Sequence, residues 1–172
     1  TDYRFFHNGI MNFLNQTFQR KHEFFFVLVT NPSWLLYNLY KDFYPNKMII
    51  SDGNRHEKAM LGLKHIPRCD LIVHTRFDIS FLGYLNLNDI KRNIVNVTNK
   101  NNDDNLFIYE FVLLKKFIKA AQKLYQHFHW HKLHLNTKIY TIPKKIYELE
   151  HRTNQERYTL YYYAEKFRNE IW

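Results

Sequence analysis

Short, unbroken apolar runs alternate along the first half of the chain with segments in which apolar residues recur every three or four positions. The runs are typical of strands buried in a parallel sheet, and the spaced pattern is typical of helices that bury one face. Ser33 and Asn54 stand just before two of the spaced segments, where each side chain can cap a first helical turn. The pattern predicts helices at residues 3–20, 34–43 and 54–66 and strands at residues 23–30, 47–51 and 69–75.

The second half of the chain carries a weaker form of the same alternation. Strands that alternate with helices indicate an α/β protein, in which helices flank a mostly parallel central sheet. We therefore expect residues 1–172 to form a single Rossmann-like domain. The further predicted elements are strands at 94–98 and 138–142, a polar loop at 99–105, and helices at 107–128 and 155–171.

Glycine is scarce, and each of the four glycines stands alone. This excludes a Walker phosphate loop and the dinucleotide fingerprint, because both motifs need closely spaced glycines. The chain has 25 Lys and Arg residues against 16 Asp and Glu residues, so its formal net charge is +9. Such a charge favours anionic partners, among them phosphates, nucleic acid and a membrane face. Frequent Asn, Phe, Tyr and Lys are also typical of AT-rich genomes, so codon usage accounts for part of the lysine excess.

The longest apolar run, residues 24–29, is far shorter than the ~20 residues that a transmembrane helix requires. We therefore predict no transmembrane segment. Cys69 is the single cysteine, which forbids an internal disulfide and indicates a reducing compartment. Together these features predict a cytoplasmic protein.

A cation and a carboxylate, Arg76 and Asp78, follow the strand predicted at residues 69–75. Ligands of open α/β sheets bind at the carboxyl ends of the strands, where loops can carry polar groups. Residues two apart in an extended chain point to the same side, so these two side chains can act together. A carboxylate there can hold a divalent cation that neutralises a diphosphate, and an ion pair at the strand end is the structural alternative.

The segment CDLIVHTRFDIS, residues 69–80, resembles a segment of the sugar-nucleotide glycosyltransferases with the GT-A fold. Such proteins occur in large DNA viruses of algae and in bacterial surface-polysaccharide loci. Their short acidic motif follows a strand and binds the metal and the donor diphosphate. Asp78 matches the last, metal-binding carboxylate of that motif, whereas Arg76 stands where the usual motif has an acid. The resemblance covers roughly residues 22–130, and it implies a GT-A-like fold for this chain.

Two further segments carry the resemblance. Residues 54–63 are similar to the helix that precedes the acidic strand, whose beginning commonly faces the donor nucleotide. Residues 103–108 resemble a family segment that leads into a long helix. The resemblance thus implies that Asn54, Arg55, Lys58 and Arg76 steady the donor phosphates and that Asp78 binds Mn²⁺ or Mg²⁺. An inverting transfer also needs a carboxylate base near the acceptor hydroxyl, for which Asp103 or Asp104 is the candidate; a solvated turn in an Asn-rich loop is the structural alternative.

The implied reaction transfers a sugar from a nucleotide-diphosphate donor, a UDP- or GDP-sugar, to a hydroxyl of a glycan or glycoprotein. If the chain is viral, the cytoplasm concerned is that of the host. A length of 172 residues is short for a complete transferase of this fold. The strand that usually holds the nucleotide base is not evident before Thr1, so we expect a core or a fragment truncated at the N-terminus.

Two other classes of function stay open. One is a basic nucleic-acid-binding module, in which lysines along the helix predicted at 107–128 contact phosphate. The lysines of this first alternative are Lys115, Lys116, Lys119 and Lys123. The second alternative is a noncatalytic α/β interaction domain without a donor site.

Two aromatic and histidine-rich segments offer further chemistry. Residues 127–134 contain four histidines, which could bind zinc, line an acceptor pocket or form a polar helix terminus. Residues 158–168 interleave tyrosines with basic residues, a pattern that fits either base stacking or a packed helix face. Asp70 lies at the entry of its predicted strand, so we interpret it as structural, and Cys69 as a buried residue that is not a nucleophile.

Overall fold

The structure is a computed structural model that describes residues 3–18, 22–76, 79–81, 83–97, 106–125, 139–142 and 147–149. Within these ranges the chain forms a mixed α/β domain. The helices are α1 (Tyr3–Phe18), α2 (Leu36–Phe43), α3 (Arg55–Leu63) and α4 (Leu114–Tyr125). The strands are β1 (Val27–Thr30), β2 (Lys47–Ile50), β3 (Leu71–Thr75), β4 (Ile79–Phe81), β5 (Val95–Val97), β6 (Leu106–Glu110), β7 (Ile139–Thr141) and β8 (Tyr147–Leu149).

The strands form three hydrogen-bonded sets among the described residues. β1 and β2 are a parallel pair, as predicted for the first two strands. A four-stranded sheet has the order β3-β6-β5-β7, and β4 pairs with β8 in an antiparallel pair. The strands predicted at 94–98 and 138–142 are confirmed as β5 and β7, which pair in parallel.

The prediction of a mostly parallel central sheet is wrong. In the four-stranded sheet, β6 runs antiparallel to both of its neighbours, β3 and β5. The segment between β5 and β6 spans residues 98–105, which is shorter than the dozen or so residues that a parallel crossover requires. The sheet therefore places one reversed strand at its centre.

The helix predicted at 107–128 begins too early. Residues 106–110 form strand β6, a 3₁₀ turn follows at Phe111–Leu113, and the helix begins at Leu114. Residues 106–109 are all buried, because β6 is covered on both faces. An apolar run that passes directly into a spaced apolar pattern hides the boundary between a buried strand and a helix.

Helices cover both faces of the sheet, and β6 shows how its alternating residues divide between them. Leu106 and Ile108 pack with Phe13 and Leu14 of α1 on one face. Phe107 and Tyr109 pack with residues of α3 and α4 on the other, among them Phe117. The parallel pair is covered in the same way: Leu28 packs with Leu39 and Phe43 of α2, and Val29 faces α3.

The helix caps show how local sequence places α2 and α3. The Oγ of Ser33 accepts a hydrogen bond from the N–H of Leu35 at 3.1 Å, in the turn that leads into α2. Asn54 and Glu57 form a capping box: the Asn54 Oδ1 accepts from the Glu57 N–H at 3.1 Å, and the Glu57 Oε2 accepts from the Asn54 N–H at 2.8 Å. Each reciprocal bond satisfies one of the N–H groups that a helix start leaves without partners, so the predicted Asn54 cap is confirmed. The predicted Ser33 cap is wrong: α2 begins at Leu36, and its N-cap residue is Leu35, which makes no side-chain cap hydrogen bond.

Gly62 allows α3 to pack closely on β1. A Cβ at this position would lie 3.0 Å from the Val29 Cγ2 and 3.9 Å from the Val27 Cγ1. We expect Gly62→Leu to push α3 off the strand and to lower the free energy of unfolding by about 1–3 kcal/mol, measured by guanidinium denaturation. Gly83→Leu is the matched control, because a Cβ there meets nothing within 4 Å. Equal losses of unfolding free energy in the two variants would show that close packing at Gly62 is not the cause of the lower stability.

Candidate functional site

The carboxyl ends of β1 and β2 lie side by side, because the two strands are parallel and pair from Val27 with Lys47 to Thr30 with Ile50. The pairing continues by one bond beyond the strands, since the Ser51 N–H donates to the Thr30 carbonyl at 2.9 Å. The loops that lead into α2 and α3 therefore begin at one edge. In open α/β sheets this is the edge where ligands bind, and we call it the carboxyl edge.

The turn from β2 into α3 is built around Gly53 and Glu57. The Gly53 N–H donates to the Ser51 Oγ at 3.1 Å, which closes the turn. A Cβ on Gly53 would lie 2.6 Å from the Glu57 Oε2, so the carboxylate of the capping box occupies the space of a side chain. Asn54 and Glu57 thus have structural roles at the start of α3, and the neighbouring Arg55 is the exposed cation of that turn.

Arg55 and His74 bring the carboxyl end of β3 to the same edge. Arg55 begins α3, and its guanidinium is close enough to His74 near the end of β3 to lower the pKa of that imidazole. At the other end of α3, Leu63 packs in the same cluster as Ile72 near the beginning of β3. The helix therefore runs antiparallel to β3, and the ends of β1, β2 and β3 share the carboxyl edge.

His74 is neutral at physiological pH. Burial, with a smaller effect from the positive charge of Arg55, lowers its pKa from 6.5 to about 4. The imidazole packs against the rings of Phe107, at a centroid distance of 5.5 Å, and Phe117, at 6.1 Å. A neutral imidazole adds no positive charge to the edge, so the cations there are arginine and lysine side chains.

Arg76 leaves the end of β3 in a half-buried position. The Thr75 hydroxyl donates to the carbonyl of Arg76 at 3.4 Å, which supports the backbone just beyond the strand. Lys58 lies three residues after Arg55, about one helical turn further along α3, and is also half-buried. Of the predicted phosphate-binding residues, the structure thus places Arg55 at the carboxyl edge beside β3, Arg76 at the end of that strand, and Lys58 one turn further from the edge.

Three predicted site residues, Asp78, Asp103 and Asp104, lie outside the described residues. The strands that flank them are described: the Cα of Thr75, three residues before Asp78, pairs with the Cα of Leu106, two residues after Asp104. This register follows from the antiparallel pairing of β3 with β6. Both predicted acidic segments therefore join the sheet at neighbouring positions of the carboxyl edge.

The predicted metal ligand, Asp78, lies outside the described residues. Among the described residues no group of three His, Cys, Asp or Glu side chains could hold a metal ion. At the carboxyl edge the described side chains include the cations Arg55 and Arg76, which fit phosphate oxygens rather than a metal. The assignment of Asp78 as a metal ligand stays a prediction.

Cys69 packs beside the core cluster that contains Tyr109; Tyr109 is buried, whereas Cys69 is half-buried rather than buried as predicted. Burial raises the pKa of the Cys69 thiol, and the nearby Asp70 raises it further, so the thiol is not activated as a nucleophile. Burial also raises the pKa of Tyr109, with a smaller effect from Cys69. The Tyr109 hydroxyl is buried and makes no hydrogen bond to a described residue. Asp70 supports the fold through its backbone, since its carbonyl accepts from the Phe111 N–H at 3.3 Å.

His74, which was not among the predicted site residues, lies near the carboxyl edge as a neutral side chain packed on aromatic rings. In the sequence, His74 could have been noticed as a titratable side chain inside the apolar run at residues 69–75. The two other candidate segments, residues 127–134 and 158–168, lie outside the described residues. The four α4 lysines are described, and all four are exposed.

No protein-family model matches this chain, and no curated protein sequence matches it significantly. The structure contains, in the part of the chain that it describes, no helix both long and apolar enough to cross a membrane.

Proposed function

We propose that the chain is a glycosyltransferase domain with a GT-A-like fold, which transfers a sugar from a nucleotide-diphosphate donor to a glycan or glycoprotein hydroxyl. One observation carries the proposal: Thr75, three residues before Asp78, pairs with Leu106, two residues after Asp104, so the strand ends next to the predicted acidic residues are neighbours. The position of Arg55 beside β3 supports it, because it adds a cation to the same edge.

The cations of the edge suit the departing nucleoside diphosphate. Transfer of the sugar breaks its bond to the diphosphate, and negative charge grows on the leaving oxygen. Arg55 and Arg76 hold and neutralise this charge through hydrogen bonds to phosphate oxygens, since guanidinium groups match phosphate geometry. Lys58 contributes a third positive charge one helical turn from Arg55.

The remaining roles belong to the acidic segments. Asp78 is the proposed ligand of Mn²⁺ or Mg²⁺, and such a metal supplies additional positive charge to the diphosphate when bound. Asp103 or Asp104 is the proposed base, which takes the proton of the acceptor hydroxyl. The donor is a UDP- or GDP-sugar, and the single cysteine fits a reducing, cytoplasmic setting for the reaction.

Thermal unfolding in the presence of UDP- and GDP-sugars with Mn²⁺ tests the proposal. A ligand at about one hundred times its dissociation constant stabilises a protein by about 2.7 kcal/mol, so we expect the melting temperature to rise by about 5 °C or more. The double variant Arg55→Gln/Arg76→Gln should lose most of this rise. Asp78→Asn should lose the part of the rise that depends on Mn²⁺.

Arg92→Gln is the matched control for the arginine variant. Arg92 is exposed and precedes β5, whose amino end lies at the edge opposite the carboxyl edge. The Arg92→Gln variant should keep the full rise in melting temperature on addition of the nucleotide sugar. No rise with any nucleotide sugar in the unaltered protein, or an equal loss in Arg92→Gln and the double variant, would contradict the proposal.

A further inference from the structure

Four lysines form a continuous basic stripe along α4. At about 100° per residue, Lys115, Lys116, Lys119 and Lys123 fall within an arc of about 100° on the helix. All four are exposed, and Gln122 extends the same polar surface. We call these four residues the lysine face. The helix contains no acidic residue, so no carboxylate within α4 offsets their charge.

The opposite side of α4 is buried and packs against the rest of the domain. Leu114, Phe117, Ala120 and Ala121 are buried in the cluster that joins α4 to α3 and to the sheet. The Phe117 ring stacks on Tyr109, with centroids 4.5 Å apart and planes at 14°. Packing thus explains the apolar side of α4, whereas it does not account for four lysines on the other side.

Neighbouring cations enlarge the positive surface. α3 packs beside α4, and Lys64 and Arg68 lie exposed in the segment that follows α3. That segment is tied to the beginning of α4 by the bond from the Phe111 N–H to the Asp70 carbonyl. Two carboxylates lie near the beginning of α4: Asp70 is exposed, and Glu110 accepts a hydrogen bond from the Asn93 N–H at 2.6 Å. The region therefore keeps a clear excess of positive charge.

We infer that the lysine face binds the surface of a bilayer that contains anionic phospholipids. α4 carries lysine and no arginine. The lysine ammonium is a compact charge that is attracted to an anionic surface without the two parallel hydrogen bonds that arginine makes to one phosphate. Each lysine close to an anionic leaflet strengthens binding about fivefold. Because the apolar side of α4 is already buried in the protein, the attachment is electrostatic and reversible by salt.

Nucleic acid fits the same face less well. Proteins that bind single-stranded nucleic acid without sequence preference use aromatic side chains on which the bases stack. The large exposed aromatic side chains that the structure describes lie on α2 and in loops. Sequence reading in a duplex groove uses arginine or lysine on guanine and asparagine or glutamine on adenine; the lysine face offers the first kind of contact, and only the neighbouring Gln122 offers the second.

Vesicle co-sedimentation of the full chain tests the inference. Vesicles of phosphatidylcholine with about 30% phosphatidylserine should bind the protein at low salt, and vesicles of phosphatidylcholine alone should not. The triple variant Lys115→Gln/Lys119→Gln/Lys123→Gln should weaken binding to the anionic vesicles by roughly a hundredfold. Lys41→Gln/Lys47→Gln/Arg92→Gln is the control: it removes three exposed cations elsewhere, so both variants lower the net charge from +9 to +6. The control should keep most of the binding.

Three results would overturn the inference. Equal losses in the two triple variants would assign the binding to net charge rather than to the lysine face. Equal binding to vesicles with and without phosphatidylserine would remove the electrostatic basis. Stronger binding to DNA than to anionic vesicles at the same salt, lost in the α4 variant, would assign the face to nucleic acid. All of these readouts are independent of nucleotide-sugar binding, so they also separate this inference from the proposed activity.

Discussion

Replacing Phe117 by alanine is expected to lower the free energy of unfolding by about 3–5 kcal/mol. Phe117 is completely buried, and it joins α4 to the sheet by stacking on Tyr109 and by meeting the Phe107 ring edge to face at 5.2 Å. Its removal loses the transfer free energy of the ring and leaves a cavity, because two aromatic neighbours cannot collapse into the space. Guanidinium denaturation followed by circular dichroism measures the loss.

Phe25→Ala is the control for this prediction, because the Phe25 side chain is 48% exposed. It should cost about 1 kcal/mol or less, since much of its apolar surface is in water already. If Phe117→Ala does not fold, Phe117→Leu keeps part of the volume and should still unfold at a lower guanidinium concentration than the unaltered protein. A loss in Phe117→Leu no larger than that of Phe25→Ala would contradict the placement of Phe117 at the centre of the core.

The protein is expected to lose about 3 kcal/mol of stability through His74 as the pH falls from above 6.5 to about 4. The pKa of His74 is lowered in the folded protein, so between these values the unfolded chain binds a proton that the folded chain excludes. Stability therefore rises with pH across this window. The rings of Phe107 and Phe117 exclude water from the imidazole, and Arg55 on α3 opposes a positive charge there.

Unfolding free energies measured in a pH series, for the unaltered protein and for His74→Gln, isolate this contribution. The variant should show a shallower dependence between pH 6.5 and pH 4, while carboxylates and the buried His56, whose pKa is also lowered by burial, contribute equally to both proteins. His65→Gln is the control, because His65 is exposed at the end of α3. An unchanged slope in His74→Gln would show that His74 is not held neutral.

Much of the fold could be predicted from local pattern. α3 begins where Asn54 and Glu57 can form a capping box, and β1 and β2 are the short apolar runs that the sequence marks. These features depend on residues a few positions apart, so their physical causes are contained in short segments. The boundary between β6 and α4 could not be predicted, since buried strand and helix patterns merge there.

The candidate site was predicted in part. Arg55 and Arg76 were predicted to bind phosphate, which stays a prediction; the structure places Arg55 at the start of α3 and Arg76 at the end of β3, at the carboxyl edge. The role of His74 was missed, because its neutral state arises from Phe107, Phe117 and Arg55, which lie on three other elements. Burial and electrostatic effects of this kind depend on distant parts of the chain.

Isolated glycines and an excess of basic residues were enough to exclude glycine-rich phosphate loops and to favour anionic partners. Caps and apolar spacing were enough to locate most of the helices and strands. Only the tertiary structure decided that β6 runs antiparallel to its neighbours and that Thr75 therefore pairs with Leu106. The reason is physical: strand direction and burial follow from pairing and packing between segments that are far apart in the sequence.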